Sequence, residues 1–293
     1  MTKVWLITGS SRGLGRALAE AVLAAGHKLV ATARNPQQVA DLVERYPDRS
    51  RALALDVTDR AQAEAAIRAA VERFGRIDVL VNNAGYANVN AIEDFAEDDF
   101  RDQIETNLWG VINLTRAALP VMRAQRSGHI VQISSIGGRT STPGIGPYQT
   151  AKWAVEGFSG VLQQEVAPLG IHVTLIEPGG FRTDWAGSSM TTHEIREEYR
   201  PTVGRMTGLR SAAVMRGDPR KGAQAILRIT EVETPPLRLL LGSDAYAIAR
   251  AADQARLDSD KQWKELTLST DFDDVRPFVD QLDAAARTSA PPA

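Results

Sequence analysis

Short apolar runs alternate with amphipathic helical patterns over most of the chain. Seven of these runs have the length of a strand, and several are continuously apolar rather than alternating. That pattern is typical of parallel strands in a sheet that helices cover on both faces. The predicted strands are KVWLIT, HKLVATAR, RALALDV, DVLVNNAG, GHIVQISS, IHVTLIEPG and, at residues 236–242, PLRLLLG.

Helical patterns separate the predicted strands. They are LGRALAEAVLAAG, a polar helix near residues 36–45, RAQAEAAIRAAVERFG, a long region at 97–125 and the helix that carries YQTAK. Regular alternation of this kind predicts an α/β fold, a doubly wound parallel sheet of about seven strands with right-handed crossovers and helices on both faces.

The composition is that of an ordinary soluble protein, with 43% hydrophobic and 24% charged residues. With a net charge of −2 and no basic block, the chain lacks the footprint of a nucleic-acid-binding protein. The absence of cysteine excludes disulfides, thiolate metal sites and a cysteine nucleophile. The four histidines have no metal-ligand spacing, so we predict no metal site. Without a targeting segment or a membrane-spanning run, the expectation is a cytoplasmic protein.

The segment TGSSRGLG, residues 8–15, joins the first predicted strand to the first helix. Its glycines at 9, 13 and 15 close the turn, let the backbone approach a phosphate and let the helix pack on the sheet. The free N–H groups of the helix N-terminus then face a pyrophosphate. Such loops also serve as plain turns, but the position between strand and helix favours a dinucleotide site in a Rossmann fold.

The end of the second strand indicates which dinucleotide is bound. NAD-binding proteins usually place Asp or Glu there for the ribose, whereas this chain has Arg34 and no carboxylate until Asp41. Arg12 lies nearby, in the glycine loop. Two guanidinium groups at these places suit a 2′-phosphate, which favours NADP(H) over the alternative of two ordinary surface arginines.

Tyr148 and Lys152 stand four residues apart in YQTAK, so they share one face of a helix. A neighbouring ammonium favours the ionised form of a phenol, and this suits a general acid and base. Taken alone, the spacing is weak evidence and favours two neighbours on a helix surface.

Seven motifs follow one another along the chain. They are TGSSRGLG, DV at 56–57, NNAG at 82–85, Asn107 in ETNLWG, ISS at 133–135, YQTAK and PGGFRT at 178–183. In order and spacing they resemble the short-chain dehydrogenase/reductase family over residues 3–183, and more loosely to about 245. Ser135 lies 13 residues before Tyr148, the interval usual for the catalytic serine of that family. EPGGFRTDW and the extended C-terminal part most resemble the branch of hydroxysteroid- and retinol-dehydrogenase-like enzymes.

The resemblance implies an NADP(H)-dependent oxidoreductase of the carbonyl reductase or ketoreductase type, which interconverts a ketone or aldehyde and the corresponding alcohol. Tyr148 would give its proton to the carbonyl oxygen, and Ser135 would hold that oxygen by a hydrogen bond. Lys152 would favour the phenolate and contact the nicotinamide ribose. Asn107 would anchor a water in a proton relay from Lys152; the other interpretation is a buried amide satisfied by the backbone.

Further motif residues would bind the cofactor. Asp56 would meet the adenine amino group, with Val57 in the same pocket, and Thr183 would bond the nicotinamide carboxamide or phosphate. Each of these residues also has a simpler interpretation. Asp56 could be a carboxylate at a helix N-terminus, and Thr183 could cap the segment that follows it. NNAG could be a stabilising turn. The complete predicted cofactor set is Gly9, Ser11, Arg12, Gly13, Leu14, Gly15, Arg34, Asp56, Val57, Asn83, Ala84, Gly85, Tyr148, Lys152, Pro178, Gly179, Phe181 and Thr183.

Residues 184–216 interrupt the alternation of strands and helices and are rich in methionine. Because methionine adapts to irregular apolar shapes, we predict an apolar lid whose pocket contains Trp185, Met190 and Met206; a small helical subdomain is the alternative. The domain at 1–245 then carries the cofactor and the chemistry. Residues 246–293 form a helical C-terminal extension with a disordered tail, TSAPPA.

A noncatalytic NADP(H)-binding regulator of the same fold is the alternative function, although the serine, tyrosine and lysine are all intact. Enoyl reductases of related fold usually space tyrosine and lysine farther apart, which argues against C=C reduction. The expected partners are a small apolar carbonyl or alcohol substrate and further copies of the chain. Relatives commonly pair the helices that correspond to 97–125 and 146–168, and the C-terminal extension leaves both a homodimer and a homotetramer open.

Overall fold

The computed structural model of the chain describes residues 2–183, 190–205, 215–272 and 274. Within them, seven parallel strands form one sheet in the order 3-2-1-4-5-6-7. The strands are β1 (Val4–Ile7), β2 (Lys28–Ala33), β3 (Ser50–Ala54), β4 (Val79–Asn82), β5 (Gly128–Ile133), β6 (Ile171–Pro178) and β7 (Arg238–Leu241). The order reverses between β1 and β4, and sheets of this kind bind ligands at the carboxyl edge beside that point. The predicted Rossmann fold is therefore confirmed.

Helices connect these strands on both faces of the sheet. In the described ranges the α-helices are α1 (Gly13–Ala24), α2 (Ala40–Arg45), α3 (Arg60–Phe74), α4 (Glu97–Ile104), α5 (Gly110–Gln125), α6 (Gly146–Val166), α7 (Pro219–Ile229), α8 (Ser243–Gln262) and α9 (Lys264–Leu268). The polar helix expected near 36–45 begins as a 3₁₀ turn, because the Asn35 side chain accepts from the Gln37 N–H. The helix expected at 97–125 contains a π-helical segment, Glu105–Trp109.

Two apolar layers explain the continuously apolar strands. Trp5 and Ile7 of β1 are fully buried in one cluster together with Leu18 of α1 and Ile226 of α7. Leu6, between them, points to the opposite face and joins a second cluster with residues of α3, α5 and α6. Because successive strand residues alternate between faces, a sheet covered on both sides needs an apolar residue at every position.

The chain divides into two compact units, Met1–Ala249 and Arg250–Ala293. The first contains the whole sheet and α1–α7. The described part of the second is mainly helical, whereas the tail at 288–293 lies outside the described residues. Among the helices that the structure describes, none is long and apolar enough to cross a membrane. The proposed domain limits at 245 and 246 stay a prediction.

Candidate active site

A cavity of about 870 Å³ opens at the carboxyl edge of the sheet. This volume falls within the range of roughly 300–1,000 Å³ that is typical of small-molecule and cofactor sites. Every predicted cofactor residue except Gly15 lines the cavity, as do Asn107, Ser135 and Met190. Trp185 and Met206, the other two residues predicted for the substrate pocket, lie outside the described residues.

The glycine loop between β1 and α1 needs glycine for two different reasons. Gly9 and Gly13 have φ angles of 66° and 59°, in the left-handed region that favours glycine. A Cβ on Gly15 would lie 2.3 Å from Asn83 Nδ2 and 2.4 Å from the Gly9 carbonyl oxygen, so Gly15 lets α1 begin close to the loop. The N-cap residue of α1, Arg12, does not cap the N–H groups of the first turn with its own side chain. These donors and the positive end of the helix dipole suit a pyrophosphate.

The NNAG segment after β4 braces the glycine loop. Asn83 Nδ2 donates to the carbonyl oxygens of Thr8 at 2.9 Å and Gly9 at 3.0 Å. Thr8 Oγ1 in turn accepts from the backbone N–H groups of Asn83 at 2.8 Å and Ala84 at 2.9 Å. Asn83 and Ala84 therefore stabilise a turn and also form part of the cavity wall, so the two interpretations of this motif are compatible.

Arg12 and Arg34 line the cavity together with Gln38. Asp41, the first carboxylate after β2, does not line it and is paired with Arg16, whose Nη1 donates to Asp41 Oδ1 at 2.9 Å. The segment after β2 thus presents a guanidinium group to the cavity and keeps its carboxylate elsewhere. A phosphate is better matched to this arrangement than a ribose hydroxyl that must donate a hydrogen bond.

Asp56 lies in the cavity wall after β3, in a fixed position. Its Oδ1 accepts from the Thr58 backbone N–H at 3.0 Å and from Thr58 Oγ1 at 2.7 Å. The cap of α3 is a different residue, Asp59, whose side chain accepts from the N–H groups of the first helical turn. Val57 packs on α5 at Gly110, where a Cβ would lie 2.5 Å from Val57 Cγ2.

Ser135, Tyr148 and Lys152 meet in the same cavity. Ser135 follows β5, while Tyr148 and Lys152 lie on successive turns of α6 with only 6% and 4% of their surfaces exposed. Lys152 Nζ is 5.5 Å from the centre of the Tyr148 ring and donates to the Ile133 carbonyl oxygen at 2.7 Å. Ser135 Oγ accepts from the Gly137 N–H at 3.0 Å, which fixes the oxygen and leaves its O–H as a donor.

Burial controls the charge of Lys152. It lowers the pKa of the ammonium to about 8, because the charged form loses its hydration. The negative charge of Glu156, one turn farther along α6, acts in the opposite direction. Lys152 is therefore protonated at neutral pH and loses its proton in mildly alkaline solution.

Asn107 is fully buried in the π-helical segment Glu105–Trp109. Its Nδ2 donates to the carbonyl oxygens of Tyr86 at 2.9 Å and Gln103 at 2.8 Å, and its Oδ1 accepts from the Tyr86 N–H at 3.2 Å. The backbone thus satisfies the amide, in agreement with the second interpretation of this residue. Asn107 also fixes the end of the NNAG segment, because a Cβ on Gly85 would lie 2.5 Å from Asn107 Oδ1. A water relay through Asn107 stays a prediction.

The PGGFRT segment follows β6 and meets the glycine loop. A Cβ on Gly13 would lie 3.5 Å from Thr183 Cβ, so the two loops touch across the cavity. The Gly180 N–H donates to Asp244 Oδ2 at 2.7 Å, and Phe181 forms a parallel bridge with Gly217. Asp244 had no signal in the sequence, since it lies far from every motif.

The predicted lid is described at residues 190–205 and 215–216, and Met190, Thr191 and Met215 from these ranges line the cavity. Met190 lines the cavity and packs against a buried cluster that includes Tyr148. The Val89 N–H donates to the Thr191 carbonyl oxygen at 2.8 Å, which ties this segment to the chain that follows β4.

Several lining residues were not indicated by the motifs: Tyr86, Asn88, Thr191 and Met215. Burial, followed by the nearby charge of Asp102, raises the pKa of Tyr86 to about 12, so this phenol is neutral at physiological pH. In the ranges that the structure covers, no group of three or more His, Asp or Glu side chains is arranged to hold a metal ion.

Comparison with known proteins shows which family the chain is similar to. A family model described as short chain dehydrogenase matches residues 3–194. The chain is 51% identical to Oxidoreductase BOA17 of Botryotinia fuckeliana, over 92% of this chain and the whole of that protein. It is 36% identical to 3-ketodihydrosphingosine reductase of Bacteroides thetaiotaomicron, over 82% and 88% of the two chains.

Solved structures agree. A short-chain dehydrogenase from Streptomyces avermitilis superposes with a TM-score of 0.88 at 42% identity, over 92% of this chain and 98% of the other. A short chain dehydrogenase/reductase from Burkholderia phymatum, in complex with NAD, superposes with a TM-score of 0.74 at 25% identity, over 85% of this chain and 92% of the other. An alcohol dehydrogenase from Thermococcus sibiricus, complexed with 5-hydroxy-NADP, superposes with a TM-score of 0.68 at 26% identity, over 82% of this chain and 96% of the other. The chain belongs to the short-chain dehydrogenase family and is an oxidoreductase of that family.

Proposed function

We propose that the protein is an NADP(H)-dependent carbonyl reductase, which interconverts a ketone or aldehyde and the corresponding alcohol. The observation that carries this proposal is a single cavity lined both by Ser135, Tyr148 and Lys152 and by the glycine loop. The loop offers N–H donors and arginine side chains to an anionic cofactor, and the cavity volume accommodates one. When bound, the nicotinamide supplies or accepts the hydride.

The three side chains divide the remaining work. The Ser135 O–H donates to the carbonyl oxygen and orients it beside the phenol. Tyr148 gives its proton to that oxygen as negative charge develops there. The ammonium of Lys152, 5.5 Å from the phenol ring, stabilises the phenolate that remains. Because Tyr148 and Lys152 are almost fully buried, this charge interaction is stronger than it would be in water.

The preference for NADP(H) rests on the charges after β2. Arg34 and Arg12 line the cavity, whereas Asp41 is paired with Arg16 outside it. Solved relatives carry NAD in one case and an NADP derivative in the other, so the family does not decide the cofactor. Titration with NADPH and NADH, followed by nicotinamide fluorescence, measures the preference directly. Tighter binding of NADH would overturn this part of the proposal.

An apolar substrate is part of the proposal. Phe181, Met190 and Met215 line the cavity, and Met190 packs in the same cluster as Tyr148. The name of the relative from Bacteroides thetaiotaomicron, a ketodihydrosphingosine reductase, supports the reduction of a ketone with apolar character. The hydroxysteroid- and retinol-dehydrogenase-like branch and the roles of Trp185 and Met206 in the pocket belong to the same proposal.

The test is oxidation of NADPH, followed at the nicotinamide absorbance, with steroids, aryl ketones, β-keto esters and aldehydes. Turnover with at least one class, lost in Tyr148→Phe, is the expected result. Tight NADPH binding without turnover on any class would instead favour the noncatalytic regulator. Turnover that persists in Tyr148→Phe would contradict the assigned mechanism.

We further propose a homo-oligomer built on the α4–α5 and α6 faces, in the cytoplasm. Trp109, Trp153 and Val161 on these helices are 44%, 43% and 58% exposed. A Cβ on Gly157 would meet nothing within 4 Å, so a second helix has room to approach. Sedimentation at micromolar concentration is expected to show a dimer or a tetramer, and a monomer would refute the proposal.

A further inference from the structure

Two buried carboxylates, Glu156 and Glu177, form a charged network with the side chains of Arg139 and Arg238. Arg139 Nη1 donates to Glu177 Oε2 at 3.1 Å, and Arg238 Nε donates to Glu156 Oε2 at 2.9 Å. Arg238 Nε also lies 3.5 Å from Glu177 Oε1, so the two pairs are connected. Glu177 and Glu156 are 0% and 5% exposed, whereas the side chains of Arg139 and Arg238 are 22% and 41% exposed.

Each member of the network belongs to a segment that carries part of the site. Arg139 follows the turn that Ser135 caps, and Glu156 lies one turn beyond Lys152 on α6. Glu177 directly precedes Pro178, where the PGGFRT segment begins. Arg238 lies on the neighbouring strand, β7. The network therefore joins the serine turn, the lysine helix and the PGGFRT segment at one point.

Glu156 also touches the serine turn directly. A Cβ on Gly138 would lie 3.0 Å from Glu156 Cγ and 2.8 Å from Ser134 Oγ. The end of the serine turn thus packs on the carboxylate side chain, and a larger residue at Gly138 has no room.

Buried ion pairs of this kind add little to stability. Removing two carboxylates from water is costly, and attraction to the arginines offsets that cost only in part. Burial and the neighbouring Glu156 raise the pKa of Glu177, while the two arginines act against the rise. An apolar cluster of the same size would stabilise the fold at least as well, so the charges point to a different use.

We propose that this network positions the catalytic groups, a proposal that rests on the proposed reaction. The Arg139–Glu177 pair fixes the serine turn to the PGGFRT segment. The Arg238–Glu156 pair holds a negative charge one turn from Lys152. The four residues act through Ser135 and Lys152 and are positioning residues.

The charge of Glu156 has a definite direction of effect on Lys152. Burial lowers the pKa of Lys152 to about 8, and Glu156 is the charge that opposes this shift. The Tyr148 ring, 5.5 Å from Lys152 Nζ at its centre, and the Ile133 carbonyl oxygen, which accepts from Nζ at 2.7 Å, also lie close to the ammonium. Arg238 and Arg139 bind the two carboxylates. Without the charge of Glu156, Lys152 should lose its proton at a lower pH.

The first test observes Lys152 without using turnover. With only six lysines in the chain, ¹³C-labelling at Cε gives a sparse NMR spectrum, in which Lys152→Met identifies the resonance. In Glu156→Gln the midpoint of the Lys152 titration should fall by roughly one pH unit, whereas Glu156→Asp, which keeps the charge, should restore most of it. An unchanged midpoint in Glu156→Gln would overturn the proposal.

The second test concerns the serine turn and replaces Arg139, which is less buried than the carboxylates. Arg139→Met should lower kcat by roughly tenfold while KM for NADPH stays within about twofold, because the misplaced group is the one that holds the carbonyl. The matched control is Glu64→Gln, which removes an exposed pair with Arg60 on α3 and should alter neither kcat nor the Lys152 midpoint. Wild-type kcat in Arg139→Met would overturn the positioning role. If wild type itself reduces no carbonyl, the proposed function fails, and the NMR titration still decides the electrostatic part.

Discussion

Replacing Arg34 by Asp gives the sharpest test of the cofactor. Arg34 lines the cavity, and the nearest carboxylate in the following segment, Asp41, is occupied by Arg16. In wild type we expect kcat/KM to favour NADPH over NADH. Arg34→Asp removes a guanidinium group from the 2′-phosphate and places a carboxylate there instead, where it repels the phosphate and accepts from a ribose hydroxyl.

The expected magnitude has two parts. A hydrogen bond that involves a charged group is worth about 1.5–3 kcal/mol. Arg34 is exposed, so the new repulsion acts through a water-like dielectric and adds about 1 kcal/mol per charge at 4 Å. Because a phosphate carries up to about two charges, the two parts amount to about 3–5 kcal/mol, or roughly two to four orders of magnitude in kcat/KM for NADPH. In the same variant, kcat/KM for NADH should stay unchanged or increase.

The assay is steady-state reduction of one ketone with each cofactor in turn. Arg45→Asp is the matched control, because it makes the same change of charge on α2 at an exposed residue that does not line the cavity. Since salt screens exposed charges over about 8 Å, its effect on the cofactor ratio should stay within about threefold. The reasoning is refuted if wild type prefers NADH, if Arg34→Asp loses both cofactors equally, or if Arg45→Asp has the same effect.

Three further predictions address the proton donor, the lysine and the glycine loop. Tyr148→Phe should abolish nearly all turnover but leave the NADPH Kd within about twofold, because only the proton donor is lost; turnover within a few-fold of wild type would contradict this. Lys152→Ala should reduce both turnover and cofactor affinity. In wild type, the rate of carbonyl reduction should decline as the pH rises through about 8, where the buried ammonium loses its proton. A rate that stays constant up to a pH of about 10 would argue against a catalytic role of the Lys152 charge. Gly15→Ala should lower the free energy of unfolding in urea by about 1–3 kcal/mol, because its Cβ would lie 2.4 Å from the Gly9 carbonyl oxygen. Unchanged stability in Gly15→Ala would exclude the steric explanation.

The parts of the protein that the sequence predicts well are those with a local pattern. The seven strands follow from short apolar runs, since helices cover both faces of the sheet and the strands between its edges are largely buried. The place of Tyr148 and Lys152 on one helix face follows from their spacing alone. The glycine loop is likewise recognisable, because strand, turn and helix are consecutive in the sequence.

Contacts between distant segments left no such pattern. The π-helical segment at Asn107 interrupts a helix whose periodicity continues on both sides, and within it Asn107 donates to the carbonyl oxygen of Tyr86, 21 residues away. Asp244 reaches the Gly180 N–H across 64 residues, and Arg238 reaches Glu156 across 82. Such pairs exist only once the sheet has brought the ends of its strands together.

Two glycines of the recognised motifs are nevertheless explained by such contacts between distant segments. Gly85 and Gly179 do not have positive φ angles, so backbone conformation does not explain them. A Cβ on Gly85 would lie 2.5 Å from Asn107 Oδ1, and a Cβ on Gly179 would lie 2.4 Å from Asp244 Oδ1. In both places a polar side chain from another element packs directly on the loop that lines the cavity. The glycines of NNAG and PGG are thus needed less for flexibility than for the clearance that lets Asn107 and Asp244 hold the cofactor-side loops in place.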